Sequence, residues 1–423
     1  MERTEKSLYT IMLIFIIGLA VMGLALDGPT QTLKGFLHLQ VRGARLINDF
    51  TQAGAGSAMF NAALVGLVGL IIVFFSTISL SGPTIAAIFT MVGFGFFGKT
   101  PLNALPIIGG VWIAARLAHK TLGSYSLIAL FGTALGPVVT FIMFEMGLPL
   151  SLSIPLGLFS GLVAGFILPG VARSMLQLHQ GYNLYNTGFS CGFIGLFLSG
   201  LLIASNKMEP ITIIWNTANE SALVLFIPIL SLFLILSALI IDGFSHIRET
   251  IQALFKLQNL SGRLPTDLFD AGTAGSALIN MALLGLVSSL YVALVKAPFN
   301  GPVIGGILTV MGFGGFGKTL KNIWPVVAGV VLATLVFGKQ LSDPGPILAA
   351  LFCTTLAPIA GQFGIVAGIV AGFIHLFMVE TTAVWHGGLD LYNNGFAGGL
   401  TASLIMAMLQ WYKTNRPKED FQV

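Results

Sequence analysis

The chain has 423 residues, of which 55% are hydrophobic and only 9% are charged, and its formal net charge at pH 7 is +4. Soluble domains carry about 25% charged residues, so this composition excludes an ordinary soluble protein, and its 33 Phe exclude a disordered one. The chain contains no dense basic stretch of the kind that binds nucleic acid. Its hydrophobic composition predicts instead that it lies in a lipid bilayer. Cys191 and Cys353 lie in apolar runs and are expected to be free thiols.

The apolar runs predict an all-α polytopic membrane protein with about 12–14 membrane segments. The first run, Leu8–Leu26, is longer than a signal-peptide core and is interpreted as a retained anchor helix. Further spans are predicted at residues 57–77, 104–118, 125–145, 151–172, 187–204, 221–241, 277–296, 323–340, 345–361, 364–380 and 393–410. Two Gly-rich runs, 83–97 and 301–317, are either tight full spans or re-entrant, broken half-helices. The basic stretches 27–49 and 242–266 are expected to form amphipathic surface helices.

The second half of the chain repeats the first. A shift of 219 residues aligns Phe50–Gly110 with Phe269–Gly329 without a gap, and 27 of these 61 positions are identical. A shift of 207 residues places Leu184–Asn186 on Leu391–Asn393. Two-fold repeats in membrane proteins usually build one translocation path where the halves meet, so the duplication favours transport. We expect the two copies to be inverted, that is, to cross the membrane in opposite directions. If segment 83–97 is re-entrant, one crossing fewer separates the copies, which would then be parallel, with both basic linkers on one face.

The repeats divide the chain into five predicted parts. These are an anchor helix with an amphipathic linker (1–44), membrane repeat 1 (45–204), a connecting helix with a second linker (205–263), membrane repeat 2 (264–410) and a polar C-terminal tail (411–423). The translocation path is expected between the two repeats.

A phosphate-loop pattern, G-x-x-x-x-G-K-[ST], occurs at Gly93–Thr100 and again at Gly312–Thr319. A nucleotide-binding loop follows a buried strand, whereas here the pattern ends an apolar membrane segment, so nucleotide binding is rejected. Lys99 and Lys318 are expected either to reach the membrane interface or to cap the carbonyls of a half-helix. If the Gly-rich segments are re-entrant, the two lysines would lie at the pore mouth and attract anions.

A polar element precedes the last span of each copy. The candidate solute-binding residues are His179, Asn183, Tyr185 and Asn186 in the first copy and His386, Asp390, Tyr392 and Asn393 in the second. These residues form either an interfacial aromatic belt with helix caps or a broken helix that binds a solute. Only the second copy offers a carboxylate, and its spacing of four residues from His386 would allow the two groups to share a proton. A metal site is not predicted, because no further ligand occurs at a suitable spacing.

Asn61 and Asn280 occupy equivalent positions early in long spans. Each either forms a hydrogen bond between helices or lines the pore. Thr90 and Thr309 are further pore-lining candidates, unless each bonds to a carbonyl of its own helix.

The whole chain, with its duplicated GSA-x-x-N and GFG-x-F-GKT elements, resembles a family of bacterial multi-pass membrane proteins known only as a domain of unknown function. Its order of elements is also similar to that of the urea transporters, although it lacks their Pro after the first Asn. The similar stretches are Gly54–Leu67, Tyr182–Gly192, Gly272–Leu286 and Leu389–Gly399. These resemblances imply a bacterial inner (plasma) membrane protein and, for the second, a pore in each subunit of a homo-trimer.

We therefore predict a channel or permease that moves a small polar solute, neutral or singly charged, between the two repeats. The alternative is a non-transporting membrane scaffold or sensor. No nucleophile–base pattern and no cofactor motif occurs, so no catalytic residue is assigned and no cofactor is expected.

Overall fold

The computed structural model describes residues 3–76 and 78–415, and these residues build an all-helical fold, as predicted. The helices of the first half are α1 (Arg3–Asp27), α2 (Pro29–Gln40), α3 (Ala55–Phe75), α4 (Gly82–Gly95), α5 (Pro101–Leu117), α6 (Ser126–Gly132), α7 (Gly136–Phe144), α8 (Leu150–His179) and α9 (Asn186–Ala204). Those of the second half are α10 (Ser221–Asp242), α11 (Ile247–Leu257), α12 (Leu268–Ala271), α13 (Ala274–Leu294), α14 (Gly301–Gly312), α15 (Leu320–Val336), α16 (Pro344–Phe352), α17 (Ala357–Phe363), α18 (Ile365–Trp385) and α19 (Asn393–Asn415). Most of the predicted polar tail lies outside the described residues.

Nine of the described segments are long and apolar enough to cross a membrane, so the chain is a multi-pass membrane protein. They are α1, α3, the joined pairs α6–α7 and α16–α17, and the single helices α8, α9, α10, α13 and α18. The apolar helices α4, α5, α14 and α15 have only 12 to 17 residues. At about 1.5 Å per residue they are shorter than the hydrocarbon core of a bilayer, so the runs 104–118 and 323–340 differ from the full spans expected there.

The two basic linkers contain short amphipathic helices, α2 and α11, as predicted. The aspartate that ends the span before each linker binds the start of the span that follows the linker. Asp27 accepts a hydrogen bond from the backbone N–H of Ser57 at the start of α3 (3.0 Å), and Asp242 accepts one from Gly275 in α13 (3.0 Å). A carboxylate at a helix N-terminus satisfies free N–H groups and complements the helix dipole.

In the first copy, α4 and α5 form a re-entrant hairpin. Helix α4 runs antiparallel to α3, because Gly95 lies against Ala62 while Gly69, farther along α3, lies against Met91. Helix α5 then returns, since Gly123, just beyond its end, lies against Ser76 at the end of α3. The hairpin therefore enters and leaves on the same side, which is the broken half-helix alternative for residues 83–97.

The two copies are inverted relative to each other. Helix α4 crosses its equivalent α14 in antiparallel fashion, because Gly93 faces Gly305 and Ala86 faces Gly312. Helix α14 is antiparallel to α13, just as α4 is to α3, with Gly314 against Met281. It follows that α3 and α13 point in opposite directions. The two basic linkers consequently lie on opposite faces, because an odd number of crossings, the five spans α3, α6–α7, α8, α9 and α10, separates them.

An aspartate from each copy binds the half-helix of the other. Asp49 accepts a hydrogen bond from the N–H of Gly301 at the start of α14 (3.2 Å), and Asp267 accepts one from Gly82 at the start of α4 (3.1 Å). Burial raises the pKa of both carboxyl groups above the ordinary value of an aspartate. This reciprocal pair of caps joins the inverted copies around their pseudo-two-fold axis.

Candidate functional site

The last helices of the two copies, α9 and α19, meet at the pseudo-two-fold axis. Gly188 and Gly395 touch through their backbones, because a Cβ added to Gly395 would lie only 2.8 Å from the Cα of Gly188. The rings of Tyr185 and Tyr392 pack just before this point, with centroids 4.6 Å apart. Small residues allow two membrane helices to approach this closely, and the two tyrosines therefore occupy the centre of the protein.

The predicted polar elements form non-helical turns that lead into this crossing. His179 Nδ1 accepts the N–H of Asn183 (3.2 Å), and its Nε2 lies 2.9 Å from Asn186 Oδ1. The Asn186 amide in turn donates to the carbonyl of Ala172 in α8 (3.1 Å). These side chains satisfy backbone groups where the helix is broken, which an apolar membrane interior requires. The helix caps of the first interpretation and the broken helix of the second both fit this geometry, and solute binding by these residues stays a prediction.

The second copy builds the same turn, but its histidine does not share a proton with Asp390. His386 Nδ1 accepts the backbone N–H of Asp390 (3.3 Å), and its Nε2 faces Asn393 Oδ1 (2.9 Å). Both ring nitrogens are thus occupied by groups other than the carboxylate. The expectation of a His386–Asp390 proton pair assumed a helix, whereas α18 ends at Trp385 and the two residues lie in a turn.

The two copies differ most at Asn183 and its equivalent, Asp390. Both polar atoms of the Asn183 side chain have partners: its amide nitrogen donates to Gly395 O (3.0 Å), and its Oδ1 accepts from Thr355 Oγ1 (2.5 Å). Asp390 accepts a hydrogen bond from the N–H of Tyr392 to Oδ1 (2.8 Å), while its fully buried Oδ2 has no partner within the described part of the chain. A buried carboxylate oxygen without a donor is costly, so this position is unlike the structural hydrogen bonds around it.

The two symmetry-related lysines are buried at the centre and do not lie at a pore mouth. Lys99 and Lys318 are both fully buried. Lys318 Nζ donates to the hydroxyl of Tyr185 and to Thr354 Oγ1 (2.7 Å). Among the residues that the structure describes, Lys99 Nζ has no hydrogen-bond partner, and it interacts electrostatically with Asp390. The interface and pore-mouth positions proposed for them differ from the structure, because the re-entrant hairpins carry both lysines inward instead of to an edge.

Four other predicted pore residues act within the scaffold. Asn61 donates to the carbonyls of Gly95 and Lys99 (2.7 and 2.8 Å), which lie at and beyond the end of α4. Asn280 makes the equivalent bonds to Gly314 and Lys318 (2.7 and 2.8 Å). Thr90 and Thr309 donate to carbonyls one turn back in their own helices, those of Ala86 (2.7 Å) and Gly305 (2.8 Å). All four side chains are fully buried, and the geometry favours the alternative of structural hydrogen bonds.

A cavity of about 660 Å³ leads from one face of the protein to the tyrosine pair. Arg263 lies in its lining, and Tyr185 and Tyr392 lie at its inner end. Its other walls come mainly from apolar side chains of α6, the end of α8 and the region after α14. We name this side of the protein the Arg263 face.

The equivalent cavity on the opposite side, which we name the Arg45 face, stops short of the centre. It has a volume of about 690 Å³ and ends at Asn393 and Asn394 without reaching either tyrosine. Ile211 and Ile213, from the segment that joins the two copies, lie in its wall. The inverted copies therefore enclose two related cavities, of which one contacts the central tyrosine pair.

Arg45 makes more contacts at its face of the protein than its equivalent, Arg263, makes at the other face. Arg45 Nε forms an ion pair with Glu145 (2.9 Å), and Nη1 donates to the carbonyls of Glu209 (2.8 Å) and Gly387 (3.2 Å). Arg263 makes the symmetry-related bond to Gln180 O (2.8 Å). Within the described residues, Arg263 belongs to no ion pair. In the sequence both arginines belong to the basic stretches 27–49 and 242–266, and their common spacing of 218 residues, each before a leucine, was the available signal of their equivalence.

The connecting segment adds a second seal on the Arg45 face. Ile214 exchanges backbone hydrogen bonds with Ile47 (2.9 Å) and Asp49 (3.1 Å), and Asn216 donates from its backbone to Asp49 Oδ2 (3.0 Å). Sequence reasoning missed this role, because residues 205–220 have neither the periodicity of a helix nor an equivalent in the repeat.

Comparison with known proteins adds a family match. A family model described as "Protein of unknown function (DUF1576)" matches residues 28–204 and 246–411, which is most of the chain in two separate blocks. No curated protein and no solved structure matches the chain. The resemblance to urea transporters receives no support from these comparisons and stays a prediction.

Proposed function

Because the chain belongs to DUF1576, a family of unknown function, we propose from its own geometry that it is a transporter. It would move a small polar solute, neutral or singly charged, along a path between the two inverted copies. The observation that carries the proposal is the open cavity from the Arg263 face to Tyr185 and Tyr392, together with its shorter counterpart on the other face. Inverted repeats of this kind expose a central site alternately to the two sides of a membrane.

The asymmetry between the faces corresponds to one state of such a cycle. The Arg263 face is open to the centre, while Arg45, Glu145 and the connecting segment close the other face. In the opposite state the Arg45 contacts would break and the Arg263 cavity would narrow. Because the copies have the same fold, exchange of their conformations would interconvert the two states.

We expect a cysteine in place of Thr187 to make transport sensitive to thiol reagents. Thr187 lines the open cavity next to the helix crossing, whereas the native Cys191 and Cys353 are fully buried. Purified protein in proteoliposomes would be assayed for uptake of a panel of small amides, carboxylates and amino acids. A negatively charged methanethiosulfonate should then stop flux through Thr187→Cys and leave the wild type active.

The matched control is Gly200→Cys in the same helix, since no atom lies within 4 Å of a Cβ added at Gly200. Its modification should leave flux unchanged. In membrane vesicles of the two orientations, Thr187→Cys should react in one orientation only, because its cavity opens at one face. Modification of Thr187→Cys that leaves flux intact would contradict a path along this cavity. Absence of flux for every solute would instead favour the scaffold or sensor.

We expect Glu145→Gln to shift the balance of the two states. The substitution removes the ion pair with Arg45, which stabilises the closed Arg45 face by up to about 1 kcal/mol and so changes the population ratio by up to about fivefold. The labelling rate of Thr187→Cys should fall accordingly, because less protein would be open at the Arg263 face. Glu380→Gln is the control, since it removes the Lys339 ion pair on the same face without touching Arg45. Equal labelling rates in both variants would contradict a role of the Arg45–Glu145 ion pair in closing the Arg45 face.

A further inference from the structure

The centre of the protein contains more buried cations than anions. Lys99 and Lys318 lie around the crossing of α9 and α19, and the one aspartate that is buried there with them is Asp390. A charged side chain inside a membrane is costly unless an opposite charge compensates it. One lysine therefore has no carboxylate beside it, and a singly charged anion bound there would stabilise the protonated form of its amine.

The lysine without a neighbouring carboxylate is Lys318. Asp390 interacts electrostatically with Lys99, whereas the equivalent position beside Lys318 holds the neutral Asn183. Lys318 Nζ donates to two neutral hydroxyl groups, those of Tyr185 and Thr354. A lysine ammonium has three N–H donors, so one donor remains for a ligand oxygen.

The open cavity ends at aromatic side chains that contact this lysine. Tyr185 and Phe313 belong to the cavity wall, and Nζ of the fully buried Lys318 lies 4.4 and 5.0 Å from their ring centroids. The cavity lining contains Arg263 and, among the described residues, no Asp or Glu. Such a path attracts an anion and repels a cation, and its mainly apolar walls suit a solute with an apolar part.

We infer that the transported solute is a singly charged organic anion, a monocarboxylate, whose carboxylate pairs with Lys318 while its apolar part contacts the aromatic wall of the Arg263-face cavity. This inference rests on the proposed transport function and specifies its substrate class. A doubly charged anion would exceed the one uncompensated charge. A neutral amide of the same shape would leave Lys318 unbalanced.

The test compares benzoate with benzamide, which have nearly the same shape and differ in charge. Binding to the detergent-purified protein would be measured by calorimetry, and uptake would be measured in proteoliposomes with radiolabelled solutes. We expect benzoate to bind and to be taken up, with benzamide at least about tenfold weaker, since loss of one partner of a buried charge pair is costly.

Two variants address Lys318 by different routes. Lys318→Met removes the cation, and Asn183→Asp keeps it but adds a carboxylate at the position that Asp390 occupies beside Lys99. Both should weaken benzoate binding about tenfold or more, and the second remains informative if the first does not fold. The control is Lys321→Met, because Lys321 is exposed and contacts Asn259 instead of the centre.

The outcomes separate this inference from the proposed function. Uptake of benzoate that depends on Lys318 and not on Lys321 supports the inference. Uptake of benzamide equal to that of benzoate, or full benzoate binding by both Lys318→Met and Asn183→Asp, overturns the anion assignment and leaves transport standing. Absence of uptake for benzoate, benzamide and the wider panel of solutes overturns both.

Discussion

Replacing Asn61 with Leu should lower the free energy of unfolding by about 3–5 kcal/mol, because each buried polar group left without a partner costs about 1–3 kcal/mol. The Asn61 amide donates to the carbonyls of Gly95 and Lys99, and its Oδ1 accepts from Gln40 (3.1 Å). In the variant the two carbonyls would stay buried without donors. Denaturation in mixed detergent–SDS micelles, followed by circular dichroism, would measure the loss.

The repeat supplies a second test of the same interaction. Asn280 makes equivalent bonds to Gly314, Lys318 and Gln258, so Asn280→Leu should cost about as much. The exposed Asn259 provides the control, and its replacement with Leu should stay within about 0.5 kcal/mol of the wild type. A loss below about 1 kcal/mol for both buried asparagines would mean that the end of each half-helix is held by other contacts.

Gly395→Ala should be the second large effect, with a loss of about 1–3 kcal/mol, because added volume in a tightly packed site forces the surroundings to move. The new methyl group would lie 2.8 Å from the Cα of Gly188 and 3.0 Å from the Cβ of Tyr185. Backbone atoms of a helix cannot turn aside as a flexible side chain can. The crossing of α9 and α19 would therefore have to open, and flux should fall together with stability.

The measurement is the same denaturation series, with Gly188→Ala as the partner variant and Gly200→Ala as the control. Gly188→Ala places its methyl group 2.8 Å from Tyr392 Cγ and 3.1 Å from the Cα of Gly395. Gly200 has free space around it, so its replacement should be neutral or should stabilise by up to about 1 kcal/mol. Similar stabilities for Gly395→Ala and Gly200→Ala would contradict the close backbone contact.

Hydropathy and self-similarity were sufficient to predict the membrane fold and the repeat. Apolar runs such as 221–241 correspond to spanning helices, here α10, because crossing a bilayer demands about 20 apolar residues in succession. The length of an apolar run did not reveal whether the run crosses the membrane or returns to the side from which it entered. Residues 104–118 were expected to span, yet they form α5, the returning arm of a re-entrant hairpin. Hydropathy registers the apolar surroundings of a helix and carries no information about the side at which it exits.

The sequence predicted that the candidate residues around the breaks in the last helices lie together, but not which of them contact each other, and solute binding by them stays a prediction. The residue types of His179, Asn186 and their equivalents indicated buried polar structure, because such side chains are costly in a membrane. Which polar group contacts which depends on turn geometry. The same limit applied to Lys99, whose glycine-rich neighbours gave no sign that the hairpin carries it to the centre.

The sequence by itself determined that this is a helical membrane protein made of two related copies, since composition and repetition are properties of the chain. Only the tertiary structure decided that the copies are inverted, that Tyr185 and Tyr392 meet at the axis and that one of two related cavities contacts them. The physical reason is that related segments can make different contacts once they pack. The ion pair between Arg45 and Glu145, 100 residues apart, closes one face, and no local pattern around Arg45 distinguishes it from Arg263.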